Sequence, residues 1–259
     1  MKKLYILISI SIFLILLSIV APYLAPNDPL EIDFSRILAP PDEIYWLGGD
    51  HLGRYIFSRL LHGARATLAT AFLMIAGMSI LGIIMGAVAG FRGGASDTLI
   101  MRIGDMLLAF PEIVFVIVVV GMLGVGIFNT IIALSLIWWV KYSRITRVLV
   151  KKELSNNYIH AARMSGASDT RILIRYIMPV LIVQVCLNIG TIIIALAGFS
   201  FLGLGVQPPA PEWGNMLSES RIYIQTAPHL MIYPGLAIFL VVVLFNYFGE
   251  TLRDMLTAK

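Results

Sequence analysis

The chain has 259 residues, of which 59% are hydrophobic and 13% charged. Soluble domains carry about 25% charged residues, and the mean hydropathy here is +0.89. This excludes an ordinary soluble enzyme, a disordered tail and a disulfide-bonded secreted scaffold, and it indicates an all-α polytopic membrane protein. The formal net charge of +4 fits basic cytoplasmic loops rather than nucleic-acid binding. The single cysteine, Cys186, lies in an apolar run and reads as a small core residue.

A spanning helix needs about 20 apolar residues. Leu4 to Asn27 is free of charge and follows Lys2 and Lys3. Its apolar stretch to Val20 exceeds a signal peptide's usual h-region of about 7–15 residues, so an uncleaved first span is expected near 4–23. Outer loop 24–65 follows, and its segment GDHLGRYIFSRLLHGAR reads as a short surface helix entering the second span, 66–90. Asp50, His51 and His62 in this loop lack the i, i+4 spacing of a tight metal site and read as loop structure.

Leu99 to Val140 holds only Arg102, Asp105 and Glu112 as charges. As one helix it would extend about 63 Å, twice the hydrocarbon core. Gly121, Gly124 and Gly126 offer a break, so spans are expected at 99–121 and 128–148. Intramembrane carboxylates are functional candidates by default. Asp105 and Glu112 are seven residues apart and share a face. Arg102 can pair with Asp105, and Pro111 loosens the helix ahead of Glu112. Further spans are expected at 178–198 and 231–249, with outer loop 199–230 between them. Gln184 and Asn188, four apart in the fifth span, can face a wet pathway or bond a neighbouring helix. Gly82, Gly86 and Gly90 make two overlapping G-x-x-x-G steps, a close helix-packing pattern.

Six spans with both termini cytoplasmic place 14 of the 19 Lys and Arg residues inside. Merging the third and fourth spans gives the same charge split with the opposite orientation, so length, not charge, selects six. The chain reads as one membrane domain, 1–259.

The basic cytoplasmic loop 149–178 carries most of the functional signal. Arg144, Arg147 and Lys151 extend the fourth helix out of the membrane. Ser155 is a candidate N-cap and Gly166 a candidate C′ residue, bounding a helix at about 156–165. Tyr158, Ala161, Ala162 and Ser165 share one small face. Such a face can seat in a partner's groove or lie on the membrane surface, and the spacing leaves both open. A second short helix is expected from Ser168 or Asp169, stopping before Pro179.

The stretch YIHAARMSGASDTRILIRYIMP resembles the Glu-Ala-Ala loop of ATP-binding-cassette (ABC) importer permeases. Ala161, Ala162, Gly166 and Pro179 match, and His160 stands where Glu is usual. LGGDHLGRYIFSRLLHGAR is similar to a second family stretch, with Gly49 and Tyr55 departing from it. SFLGLGVQPPAPEWG, Ser200 to Gly214, matches a third throughout. Together they resemble the second permease of dipeptide, oligopeptide and nickel importers in a bacterial or archaeal inner membrane. The resemblance implies a second permease as heterodimer partner, two ATP-binding subunits, one docked on each permease through a cytoplasmic coupling helix (here the helix that holds Tyr158 and His160), an extracytoplasmic binding protein, and no cofactor or metal of its own. No lysine follows a glycine in the sequence, so a P-loop is lacking and ATP hydrolysis falls to partner chains. Alternatives are a stand-alone secondary transporter or channel, for which inverted repeats are expected, and a membrane enzyme, for which no catalytic cluster can be assembled.

Overall fold

The computed structural model describes residues 16, 19–21 and 23–257. The expected first span, 4–23, falls almost wholly outside the described residues. Among the described residues there is no strand, only an isolated bridge between Gly49 and Tyr55. The helices are α1 (Ile56–Arg92), α2 (Gly94–Leu108), α3 (Glu112–Leu123), α4 (Ile127–Leu154), α5 (Asn157–Met164), α6 (Asp169–Phe201), α7 (Trp213–Ser220) and α8 (His229–Thr257). Three of them, α1, α6 and α8, are long and apolar enough to cross a membrane, and the α2–α3 pair makes a fourth if counted as one span bent by 90°.

The bend corrects the straight third span expected at 99–121. Pro111 fixes an extended N-cap for α3 at φ −58°, ψ 127° and cannot donate to the carbonyl four residues back. Even so, the pair runs the length of α4. Asp97 at its start meets Lys151, and the carbonyls of Leu123 and Gly124 at its end accept from Asn129 Nδ2 at 3.0 and 2.8 Å. That amide occupies the carbonyls α3 leaves open, and Gly124 supplies the turn at φ +96° that a side chain would disfavour.

The core forms where α1 lies along α4. Gly82, Gly86 and Gly90 face Trp139, Tyr142, Ser143, Thr146 and Val150, so the glycine stripe closes a contact within this chain. A second close approach joins α6 to α8, with Gly190 against Asn246 and Gly249 against Leu187.

Two expectations about helix ends are corrected. Pro179 does not stop the short helix at Asp169. The backbone widens into a π turn over Leu173–Ile177 and continues as α6. The Met178 N–H reaches back five residues to Leu173 O, relieving the ring's clash with the preceding turn. Nor is Gly49 to Arg65 a surface helix. Gly49 to Tyr55 is a tight turn, helix begins only at Ile56, and Arg54 and Arg59 are both 1% exposed.

Candidate functional site

The C-terminal end of α4 is set by charge. Arg147 and Lys151, four residues apart on one face, both hold Asp97 at the start of α2, with Arg147 Nη2 at 2.7 Å and Lys151 Nζ at 2.6 Å. One turn inward, Arg144 donates to Asp105 at 2.6 Å. Asp105 thus pairs across helices with Arg144, not with Arg102 along its own. The cross-helix partner lies where α2 and α4 run side by side, with Gly104 against Val140.

Beyond this clasp, α4 ends and α5 projects. Ser155 is not the N-cap of α5. It caps α4, its hydroxyl donating to Lys152 O at 2.7 Å, and Asn156 takes the extended N-cap conformation. At the other end Gly166, φ +84°, sits at C′. Its N–H bonds Arg163 O at 2.9 Å and the Ala167 N–H bonds Ala162 O at 3.0 Å, the paired bonds of a Schellman termination. Ile159 is fully buried and anchors the helix to the bundle. His160, Ala161, Met164, Ser165 and Gly166 are exposed, while Ala162 is half-buried. Tyr158 is exposed but engaged: its hydroxyl donates to Glu153 and its ring packs 5.6 Å from that of Tyr176. Arg163 bonds Asp169 at 2.7 Å across the following turn. The helix is therefore held at both ends and presents a face of small side chains around Met164, which is 91% exposed.

Within the bundle, the four polar candidates separate. Asn188 accepts from Lys141 Nζ at 2.7 Å and donates to Gln184 O at 2.6 Å, so it joins α6 to α4. Asp105 is held by Arg144. Glu112 stands on the wall between two cavities. One, about 490 Å³, is lined by Leu108, Trp138, Lys141, Arg144 and Thr191 among others. The second, about 500 Å³, is lined by Pro111, Ile113, Ala195, Gly198, Phe199 and Leu202.

Residues 78–259 match the family of binding-protein-dependent transport system inner membrane components. The chain belongs to that family. It is a permease of an ABC importer. It is 40% identical over 247 residues to the nickel transport system permease protein NikC of Escherichia coli K12, covering 94% of this chain and 89% of that one. It is 44% identical over 256 residues to the glutathione transport system permease protein GsiD of Pectobacterium atrosepticum (96% and 84% covered). It is 39% identical over 258 residues to the di/tripeptide transport system permease protein DppC of Pseudomonas aeruginosa (96% and 85% covered). In structure it is similar to a chain of the MetNI methionine ABC transporter in an inward-facing conformation, with TM-score 0.56 at 18% identity, covering 77% of this chain and 97% of that one. At that identity the likeness speaks for the fold.

The permease carries a further polar assembly that spacing alone does not reveal. At the end of α1 opposite α5, four charges are packed together. Arg54 Nε donates to Asp50 at 2.7 Å, and Arg59 Nη2 donates to Glu219 at 2.7 Å. Arg54 Nη2 lies 3.2 Å from Glu219 and Arg59 Nε 3.3 Å from Asp50, closing a four-membered ring of alternating sign. Beside it Glu212, 2% exposed, accepts from the backbone N–H groups of Gly214 and Asn215 and from the Thr67 hydroxyl, each at 2.9 Å. These contacts bind the segment before α1 and the segment around α7 into one unit. They also occupy Asp50, while His62 Nδ1 lies 3.0 Å from Ser58 O and the His51 ring stacks on Tyr223 at 5.6 Å.

Proposed function

We propose that this permease forms one half of a heterodimeric translocation pathway in a bacterial or archaeal inner membrane. A second permease completes the pathway, two ATP-binding subunits drive it, and an extracytoplasmic binding protein delivers cargo. The chain is non-catalytic, with ATP hydrolysis on the partner subunits. It crosses the membrane six times with both termini cytoplasmic, the α2–α3 pair counting as one broken crossing and α4 as the next. The relatives named for nickel, glutathione and di/tripeptide transport support peptides or nickel and metal chelates as cargo.

One observation carries the mechanism. A short helix, α5, is anchored by buried Ile159 and exposes Ala161, Met164 and Ser165 beyond the bundle. In this reading α5 is the coupling helix that seats in a groove of one ATP-binding subunit. His160 and Tyr158 stand at its edge and Gly166 ends it. Closure of the ATPase pair pushes on α5. Because α5 lies between α4 and α6 in the chain, and α4 is clasped to α2 through Asp97, the push moves these helices together. The cavities around Glu112 then open alternately to the two sides.

The test is purification of the tagged chain from its native membrane, followed by ATPase measurement with and without the binding protein. Co-purifying ATP-binding subunits, stimulated by the loaded binding protein, are expected. Transport by the purified chain alone in liposomes would instead establish a stand-alone transporter. Cysteines placed at 30 and 222 should react with an impermeant label from outside, and one at 157 only from inside.

A further inference from the structure

The two cavities around Glu112 form one track along α6. Thr191 lines the first, and Ala195, Gly198 and Leu202 line the second. Spacings of four, three and four put these residues on a single helix face. The face is open: a Cβ built on Gly198 meets nothing within 4 Å. Charge along the track is uneven. Lys141 and Arg144 line the first cavity, and both are engaged, with Asn188 and Asp105. In the second cavity, nearer the loops proposed to be outer, Glu112 is the only ionisable lining residue among the described residues. Among the described residues no hydrogen bond or ion pair engages its carboxylate.

A half-buried carboxylate against apolar walls is costly unless it is paired or solvated. It stands at the first position of α3, the positive end of that helix's dipole. A fixed negative charge in a low-dielectric cleft concentrates cations there. We propose that Glu112 is the cation-recognising residue of the pathway, taking a positively charged group of the cargo, an ammonium or a cationic metal complex, in the outer cavity before it passes Lys141 and Arg144. The proposal rests on the permease reading above and adds the charge class of the cargo.

The experiment uses the assembled importer in membrane vesicles. The single cysteine Cys186 is replaced by Ala, and Ala195→Cys reports on the outer cavity. Two methanethiosulfonate reagents are compared, one bearing trimethylammonium and one bearing sulfonate, each rate divided by that with free cysteine. With Glu112 present, the cationic reagent is expected to be favoured about tenfold, the low end of electrostatic steering. Glu112→Gln should bring the ratio near one, Glu112→Asp should preserve it, and high salt should reduce it. A ratio unchanged by Glu112→Gln overturns the proposal, as does a cysteine at 195 that is unreactive both with and without ATP. Co-purification of the ATP-binding subunits, measured on the same vesicles, reports separately on the permease reading.

Discussion

Gly86 lies directly against Ser143: a Cβ built on the glycine would stand 2.4 Å from the Ser143 carbonyl oxygen and 2.7 Å from the Thr146 Cβ. Both neighbours belong to the rigid core of α4, so nothing can yield by rotating away. Without water between helices to expel, membrane helices associate through such backbone proximity. Gly86→Leu should therefore separate α1 from α4 and abolish assembly. Gly86→Ala should destabilise by about 1–3 kcal/mol, as overpacking does. Gly77→Ala is the control, because its nearest neighbour, Ser135 Oγ, is 4.0 Å away. Thermal aggregation of the detergent-solubilised protein should rank the variants wild type, Gly77→Ala, Gly86→Ala, Gly86→Leu.

The ring of Asp50, Arg54, Arg59 and Glu219 predicts strong non-additivity. Arg59 is 1% exposed, so Arg59→Leu leaves the Glu219 carboxylate short of its 2.7 Å partner. Breaking a buried pair from one side costs about 3–5 kcal/mol, whereas replacing both partners by apolar groups is often neutral. Arg59→Leu with Glu219→Leu should recover part of the loss but not all, because Arg54 also contacts Glu219 at 3.2 Å. Equal, additive losses in the cycle would show that the ring carries no coupling.

His51 supplies a pH dependence. Burial pushes its pKa below the usual 6.5, with Arg54 and Arg59 adding to the shift and Asp50 and Glu219 opposing it. The unfolded chain then binds a proton that the folded chain resists, so stability rises with pH across the interval between the two values. The contribution is complete above about pH 6.5 and is lost as pH falls through the lowered folded value. Unfolding midpoints of the loops around His51 and Tyr223, followed by protease sensitivity, should drop between pH 7.5 and pH 5. His51→Phe keeps a ring to stack on Tyr223 and should flatten that drop. An unchanged slope in His51→Phe would assign the effect to another group.

What the sequence made legible depends on the range of the interaction. The stripe Gly82, Gly86 and Gly90 is local, so its packing role could be read from spacing; its partner on α4 could not. The limits of α5 were readable within a residue or two because Gly166 must take a positive φ, while Ser155 misled because a helix end and a helix start fall side by side and the serine serves the end. Arg54 and Arg59 looked like surface cations because their acid, Glu219, is 165 and 160 residues away. Pro111 signalled weakness in the third span, but the 90° turn depends on how α2 and α3 separately pack on α4. Glu112 was visible as an intramembrane charge. That it faces a cavity, while Asp105 and Asn188 are engaged, required the fold.

The exposed face of α5 yields the last prediction. Ala162 is half-buried, and Gly166 has φ +84°, so a carboxylate at either site would disturb the helix itself. Ala161 and Met164 are exposed and test docking without that confusion. A carboxylate at 161 would be desolvated in a partner's groove and cost several kcal/mol if unpaired. Ala161→Asp should therefore sever binding-protein-stimulated ATP hydrolysis from transport while leaving the solubilised chain as stable as wild type. Met164→Ala removes the largest apolar surface on this face and should weaken co-purification of the ATP-binding subunit by about 1–3 kcal/mol, the value of one buried apolar side chain. His160→Gln should keep most transport, because an amide can replace an imidazole as hydrogen-bond donor and acceptor and an edge contact contributes little. If His160→Gln abolished coupling while His160→Lys preserved it, a cationic histidine paired with an acid on the ATPase would be the better account. If Ala161→Asp and Met164→Ala both left assembly and coupled transport intact, α5 would instead be a helix lying on the membrane surface.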